Sequence, residues 1–189
     1  AFAKTGTIAV ATSSGGVGVK GDGTTGLYSR TVSVVPQAMW MAVQFVCNTV
    51  STTHKTAYTI GSAAASTGAF VGINSGINGT DSNINSQFRS IDSGVVISKL
   101  GPVPVVGMAY TVVSVFPSAL KADAYLYING VKYTTDYGVS ADISFAGPST
   151  LVNEAVGALK RGATALYSSD TVLFTARGLG RIPESLARQ

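Results

Sequence analysis

The 189-residue sequence predicts an all-β fold of two antiparallel sheets packed face to face, on three observations. Short β-branched and aromatic runs recur between clusters of Gly, Ser, Asn and Pro at the spacing of a sandwich, while helix-period patterns are almost absent. Asn129-Gly130 sits between two alternating β-rich runs, the strongest short-range hairpin signal, because both residues tolerate the positive φ of a type I′ turn. With 46% hydrophobic residues the chain can bury one sizeable core, so residues 1–189 are expected to fold as one domain.

The elements follow in order. Residues 7–11 alternate around Ile8 and Val10, and Ser13-Ser14-Gly15-Gly16 turns them. Residues 17–20 lead into the turn Gly21-Asp22-Gly23, and residues 27–35 run to Pro36. Residues 39–46 are apolar on both faces, which marks a central strand covered on each side. That strand carries Trp40, expected in the core. Residues 58–60 and 69–73 read as the next pair. Residues 74–86 follow, rich in Asn, Ser and Gly and the most loop-like stretch in the chain. Binding residues gather on loops held by a rigid scaffold, so this is the first place to look for a site. Residues 87–91 and 95–100 are strands, ended at Gly101-Pro102-Val103-Pro104 because proline donates no ladder hydrogen bond. Residues 110–116, 124–128 and 131–134 surround the Asn-Gly hairpin. Residues 153–159 and 171–176 supply the last strands, and residues 183–187 a closing helical turn with Pro183 at its first position.

Only 12% of residues are charged, about half the usual share for a soluble domain. Ser, Thr, Gly and Asn must cover the surface instead, a composition suited to a packed assembly or the outside of a particle. The formal charge of +4 comes from residues spread along the chain, with Lys160-Arg161 the one adjacent basic pair. Phosphate-tracking surfaces cluster their cations, so no nucleic-acid partner is expected. No apolar run approaches the roughly 20 residues of a membrane helix, so no membrane insertion is expected. The first residues show no secretory signal pattern, and Cys47 is the sole cysteine, which favours folding in a reducing cytoplasm.

Reactive side chains are few. His54, the one histidine, lies in a polar turn with no nucleophile motif to pair with it. Cys47 ends an apolar strand and reads as a small core residue. Glu154 and Glu184 are the only glutamates, each isolated, and no two aspartates fall at i, i+2. Glycosidases need two carboxylates flanking one bond, so no catalytic residue and no enzyme is expected. Asp81, Asn83 and Asn85 have a spacing that delivers alternate oxygens to calcium, with Asp92 at the twelfth position of such a loop. The competing reading is a turn that bonds its own backbone, with no cofactor at all. Asn74, Asn78, Asp81, Asn83 and Asn85 are the candidate ligand-binding residues of the loop. Any of several tyrosines, Tyr28, Tyr58, Tyr125, Tyr127, Tyr133, Tyr137 and Tyr167, has the right chemistry for a sugar platform.

The pattern Tyr110-Thr-Val-Val-Ser-Val115, then Tyr125-Leu-Tyr-Ile-Asn-Gly-Val-Lys-Tyr133, resembles the central signature of laminin G-like domains of the concanavalin A-like lectin and glucanase superfamily. Met39-Trp40-Met41 is similar to that family's early Trp-bearing strand, and Arg181-Ile-Pro-Glu-Ser-Leu186 to its closing helix. The resemblance implies a jelly-roll sandwich of two antiparallel sheets. It is to modules of the kind found in tailed-phage virion proteins. The function it implies is a virion surface or structural protein, a capsid decoration or a tail or fibre component. Such a protein would be folded in the host cytoplasm and partnered by other virion proteins or by itself as a homo-oligomer. The alternative is a soluble carbohydrate-binding module of a larger protein, with a cell-surface glycan as partner. Because the sequence stops within the closing turn, the parent chain is expected to run beyond Gln189.

Overall fold

The computed structural model describes residues 1–13, 16–50, 53, 55–64, 67–76, 82–145 and 149–188. In chain order the first strands are β1 (Ala3–Thr5), β2 (Ile8–Ser13), β3 (Gly16–Gly21), β4 (Leu27–Val34), β5 (Met39–Val46), β6 (Lys55–Ser62) and β7 (Phe70–Gly76). Then come β8 (Asn85–Arg89), β9 (Ile97–Leu100), β10 (Ala109–Phe116), β11 (Tyr125–Ile128), β12 (Val131–Tyr133) and β13 (Leu151–Val156). The chain closes with β14 (Leu159–Lys160), β15 (Thr164–Ala165), β16 (Thr171–Leu179) and helix α1 (Glu184–Ala187). Two seven-stranded antiparallel sheets result, in the orders β1-β4-β13-β6-β7-β8-β9 and β12-β11-β10-β5-β16-β3-β2. The predicted sandwich is therefore what the chain adopts.

Period-2 alternation decides which side chains meet between the sheets. Along β5, Met39, Met41, Val43 and Phe45 point inward and are fully buried. Opposite them lie Tyr58 and Ile60 of β6, Val71 and Ile73 of β7, Phe88 of β8 and Ile97 of β9. Trp40 and Ala42 point the other way, joining Val113, Val115, Tyr127, Ile182 and Ala187 in a second cluster. This corrects the placement of Trp40: it packs on the outer face beneath the C-terminal segment, not between the sheets. The apolar outer face predicted for this strand has its cause in that cover. Pro183 opens the closing turn as expected, with the Ala187 amide donating to its carbonyl at 3.1 Å.

Asn129 and Gly130 take φ values of 48° and 79°, and the Asn129 carboxamide accepts from the Thr111 amide at 2.8 Å. The Asn-Gly hairpin is thus anchored to β10 as well as turned. The strand predicted to run through residue 159 instead ends at Val156, because Gly157 takes a φ of +86°. Beyond it, the β14–β15 hairpin folds over the outer face of β6. A side chain at Gly61 would place its Cβ 2.3 Å from the Lys160 carbonyl oxygen, so glycine permits that close approach.

The two lateral edges of the sandwich differ. At the β9/β12 edge the chain crosses from one sheet to the other as a seal. Lys99, 3% exposed, donates to Asp136 at 2.6 Å. The Tyr137 amide donates to the Ser98 carbonyl, the Ala141 amide to Val96 and the Ile143 amide to Ala119. The opposite edge, between β1 and β4 on one side and β16, β3 and β2 on the other, is open.

Candidate functional site

That open edge is a cleft because one ladder is cut short. β3 pairs with β16 only at Thr171 opposite Lys20 and Val172 opposite Val19. A bulge in the β16–β5 pairing follows between Val172 and Phe174, where the β3 ladder has already ended. Gly18 lies against this bulge, since a Cβ there would meet the Val172 carbonyl oxygen at 2.4 Å. The gap is about 430 Å³. Phe2, Tyr28, Phe174 and Thr175 line it, together with the aliphatic residues Val10, Val17, Val19 and Val156. Phe174 is 56% exposed there.

A charged cluster adjoins this apolar cleft. Tyr28 stands opposite Val156 and Arg30 opposite Glu154 in the β4–β13 register, so all four side chains leave the same face. Thr175 and Arg177 repeat the two-residue step on β16. The Glu154 carboxylate is buried, accepts from Arg30 Nε at 2.8 Å and from the Tyr58 hydroxyl at 2.5 Å, and has Arg177 Nη2 at 3.5 Å. Burial pulls its pKa up, but the hydrogen bonds from Arg30 and Tyr58 and the Arg177 charge outweigh that and hold it below the usual carboxylate range. Burial, with the same hydrogen bond, pushes the Tyr58 hydroxyl up, so it stays a donor. The Arg30 guanidinium lies over the Phe2 ring at 4.6 Å from its centroid, which joins the cluster to the cleft.

Of the residues singled out in the Asn-rich stretch, those described are not gathered into one site. Asn78 and Asp81, like His54, lie outside the described residues. Asn74 belongs to β7 and Asn85 to β8, where they stand opposite each other, buried, with Asn74 Nδ2 donating to Asn85 Oδ1 at 2.5 Å. Thr56 donates to Asn74 Oδ1 at 2.7 Å. This corrects the reading of both as loop residues: they belong to strands, and their two carboxamides face one another rather than solvent. Asn83 donates to the Gly101 carbonyl at 2.6 Å. Asp92 sits at the other end of the sandwich, accepting from the Ala69 amide at 2.6 Å and from Ser62 at 2.9 Å. The five residues of β8 separate it from Asn85 by about 17 Å of extended chain. Asn83, Asn85 and Asp92 are therefore not drawn together around one point, and Asp81 lies outside the described residues. Among the described residues no group of three His, Cys, Asp or Glu stands at metal-binding distance.

Cys47 is fully buried, and burial pushes its thiol up to about 11. Of the tyrosines, Tyr58 and Tyr127 are buried while Tyr28 lines the cleft. Sequence reasoning missed Phe2, Arg30, Phe174 and Arg177. The available signal was a charge within an apolar strand, Glu154 in Leu-Val-Asn-Glu-Ala-Val, which requires a cationic partner wherever that strand is buried.

No protein-family model and no curated protein matches the sequence. Solved structures do resemble it. Domain 4 of the extracellular GH43 arabinanase AbnA from Geobacillus stearothermophilus, in complex with arabinotriose, superposes with a TM-score of 0.61 at 15% identity, over 97% of this chain and 80% of that one. Trypanosoma rangeli sialidase in complex with sialic acid gives 0.59 at 14% identity, over 96% of this chain but 28% of the sialidase. The CBM40 module of Ruminococcus gnavus IT-sialidase, bound to α2,3-sialyllactose, gives 0.53 at 13% identity, over 82% of each chain. At these identities the likeness is one of fold: the chain shares the two-sheet antiparallel β-sandwich of these structures.

Proposed function

We propose that this chain is a non-catalytic carbohydrate-binding module and that its open-edge cleft takes the saccharide. The observation that carries the reading is one open gap lined by three aromatic residues, Phe2, Tyr28 and Phe174, with the Arg30 guanidinium beside it over the Phe2 ring. Sugar rings present C–H faces that stack on aromatic side chains and hydroxyls that need convergent polar partners, and both are adjacent here. The Tyr28 hydroxyl and Thr175 hydroxyl can donate or accept, and Arg30 donates. The fold likeness to saccharide-bound structures supports the same reading, and the particle-component alternative draws no support from those neighbours.

Glu154 fits binding better than catalysis. A general acid needs a raised pKa, and this carboxylate is held low with both oxygens engaged. Retaining hydrolysis also needs a pair of carboxylates about 5 Å apart, and no carboxylate residue lines the cleft among the described residues.

A glycan array followed by calorimetry on Phe174→Ala tests the reading. Because Phe174 is exposed, its truncation should leave the melting temperature within about 2 °C while weakening the array hit at least about tenfold, as loss of one stacking contact would. A hit that Phe174→Ala leaves unchanged, or an array without hits, would remove the cleft as a sugar site.

A further inference from the structure

The charge at the end of the cleft is unbalanced. Two guanidinium groups, Arg30 and Arg177, converge on the single carboxylate of Glu154. Arg30 reaches it through Nε and is 41% exposed, so part of its guanidinium is open to solvent. Arg177 approaches through one Nη, and its Nε is buried without a hydrogen-bond partner among the described residues. An orphan buried donor beside a surplus cation is costly unless an acceptor arrives. Lys4 adds to the imbalance: it stands opposite Tyr28 in the β1–β4 register and so leaves the sheet on the cleft side.

We infer that the cleft selects acidic saccharides, with a ligand carboxylate held by Arg30 and Arg177 and the rest of the sugar against Tyr28, Phe174 and the valine wall. This rests on the carbohydrate-binding reading and narrows its ligand class. Guanidinium is the group whose planar donors match a carboxylate in two-point contact, and the partly enclosed setting strengthens that contact over its value in water. The apolar wall formed by Val10, Val17 and Val19 suits an aglycone or acyl substituent beside the charged group.

The test compares 4-nitrophenyl β-glucuronide with 4-nitrophenyl β-glucoside, which share the ring and the aglycone and differ in carboxylate against hydroxymethyl. Titration at low salt should give at least about tenfold tighter binding of the glucuronide, a preference that shrinks as salt is raised. Arg30→Gln, which keeps a donor for Glu154, should abolish the preference in a protein that still unfolds cooperatively. The Arg177 Nε–H resonance should shift on adding the glucuronide and stay in place with the glucoside. Equal binding of the two compounds through Phe174 overturns the charge inference and leaves the sugar reading standing. Binding of neither, with a neutral array hit that depends on Phe174, does the same. Binding of neither, with no Phe174-dependent hit on the array, overturns both.

Discussion

Arg177, on the last strand of one sheet, ends 3.5 Å from the carboxylate of Glu154 on the facing sheet. The contact ties the sheets together at the edge where the sandwich is open, and it sets the polarity of the cleft. One ion cluster therefore serves both packing and recognition.

Removing the carboxylate separates those roles. Glu154→Gln keeps an oxygen for Tyr58 but leaves Arg30 and Arg177 without their counter-charge. Breaking a buried pair from one side costs about 3 kcal/mol, readable by urea unfolding. The pH dependence follows from the lowered pKa of Glu154. A carboxylate held below its unfolded value of about 4.3 contributes stability above that pH and loses it as pH falls through the folded value. Melting temperatures measured from pH 7 to pH 3 should fall less steeply in Glu154→Gln than in the parent. Parallel curves would remove Glu154 from the account of acid stability.

Asp170 makes a second tie, to neutral donors. Buried at the start of β16, it accepts from the Asn48 amide at 2.9 Å, from Ser168 Oγ at 2.7 Å and from Ser75 Oγ of the other sheet. Asp170→Ala strands three buried donors and should cost about 3 kcal/mol, whereas Asp170→Asn keeps an acceptor and should cost less than half of that. Equal losses in the two variants would mean that volume, not hydrogen bonding, matters here.

Gly61 tests the strap on the outer face. Its missing Cβ lets Lys160 approach, so Gly61→Val must push residues 157–166 outward or distort β6. The expected loss is about 2 kcal/mol, with faster amide exchange confined to Ala158, Lys160 and their β6 partners. A variant as stable as the parent would show that the strap moves without cost.

Features set by local chemistry were legible in the sequence. The Asn129-Gly130 hairpin needs two adjacent residues with positive φ, and the doubly apolar β5 is written in eight consecutive positions. The site was not legible, because its charged partners Arg30 and Glu154 lie 124 residues apart and meet only through strand order. Asn74 and Asn85 misled for a related reason. Asparagine reads as loop when judged singly, yet two of them paired across a ladder satisfy each other inside a sheet. Phe174 was hidden by a bulge, which has no sequence signature comparable to Asn-Gly and turns a strand residue out to solvent.

The central claim is that a saccharide enters the open-edge cleft, and chemical-shift mapping on ¹⁵N-labelled protein tests it most directly. Titration with the strongest array hit should move the amides of Phe2, Tyr28, Arg30, Phe174 and Thr175 together along one binding curve. Shifts confined to the face around Asp123, Lys132 and Arg181, or to the loop beside Asn83, with those five amides unmoved, would contradict it.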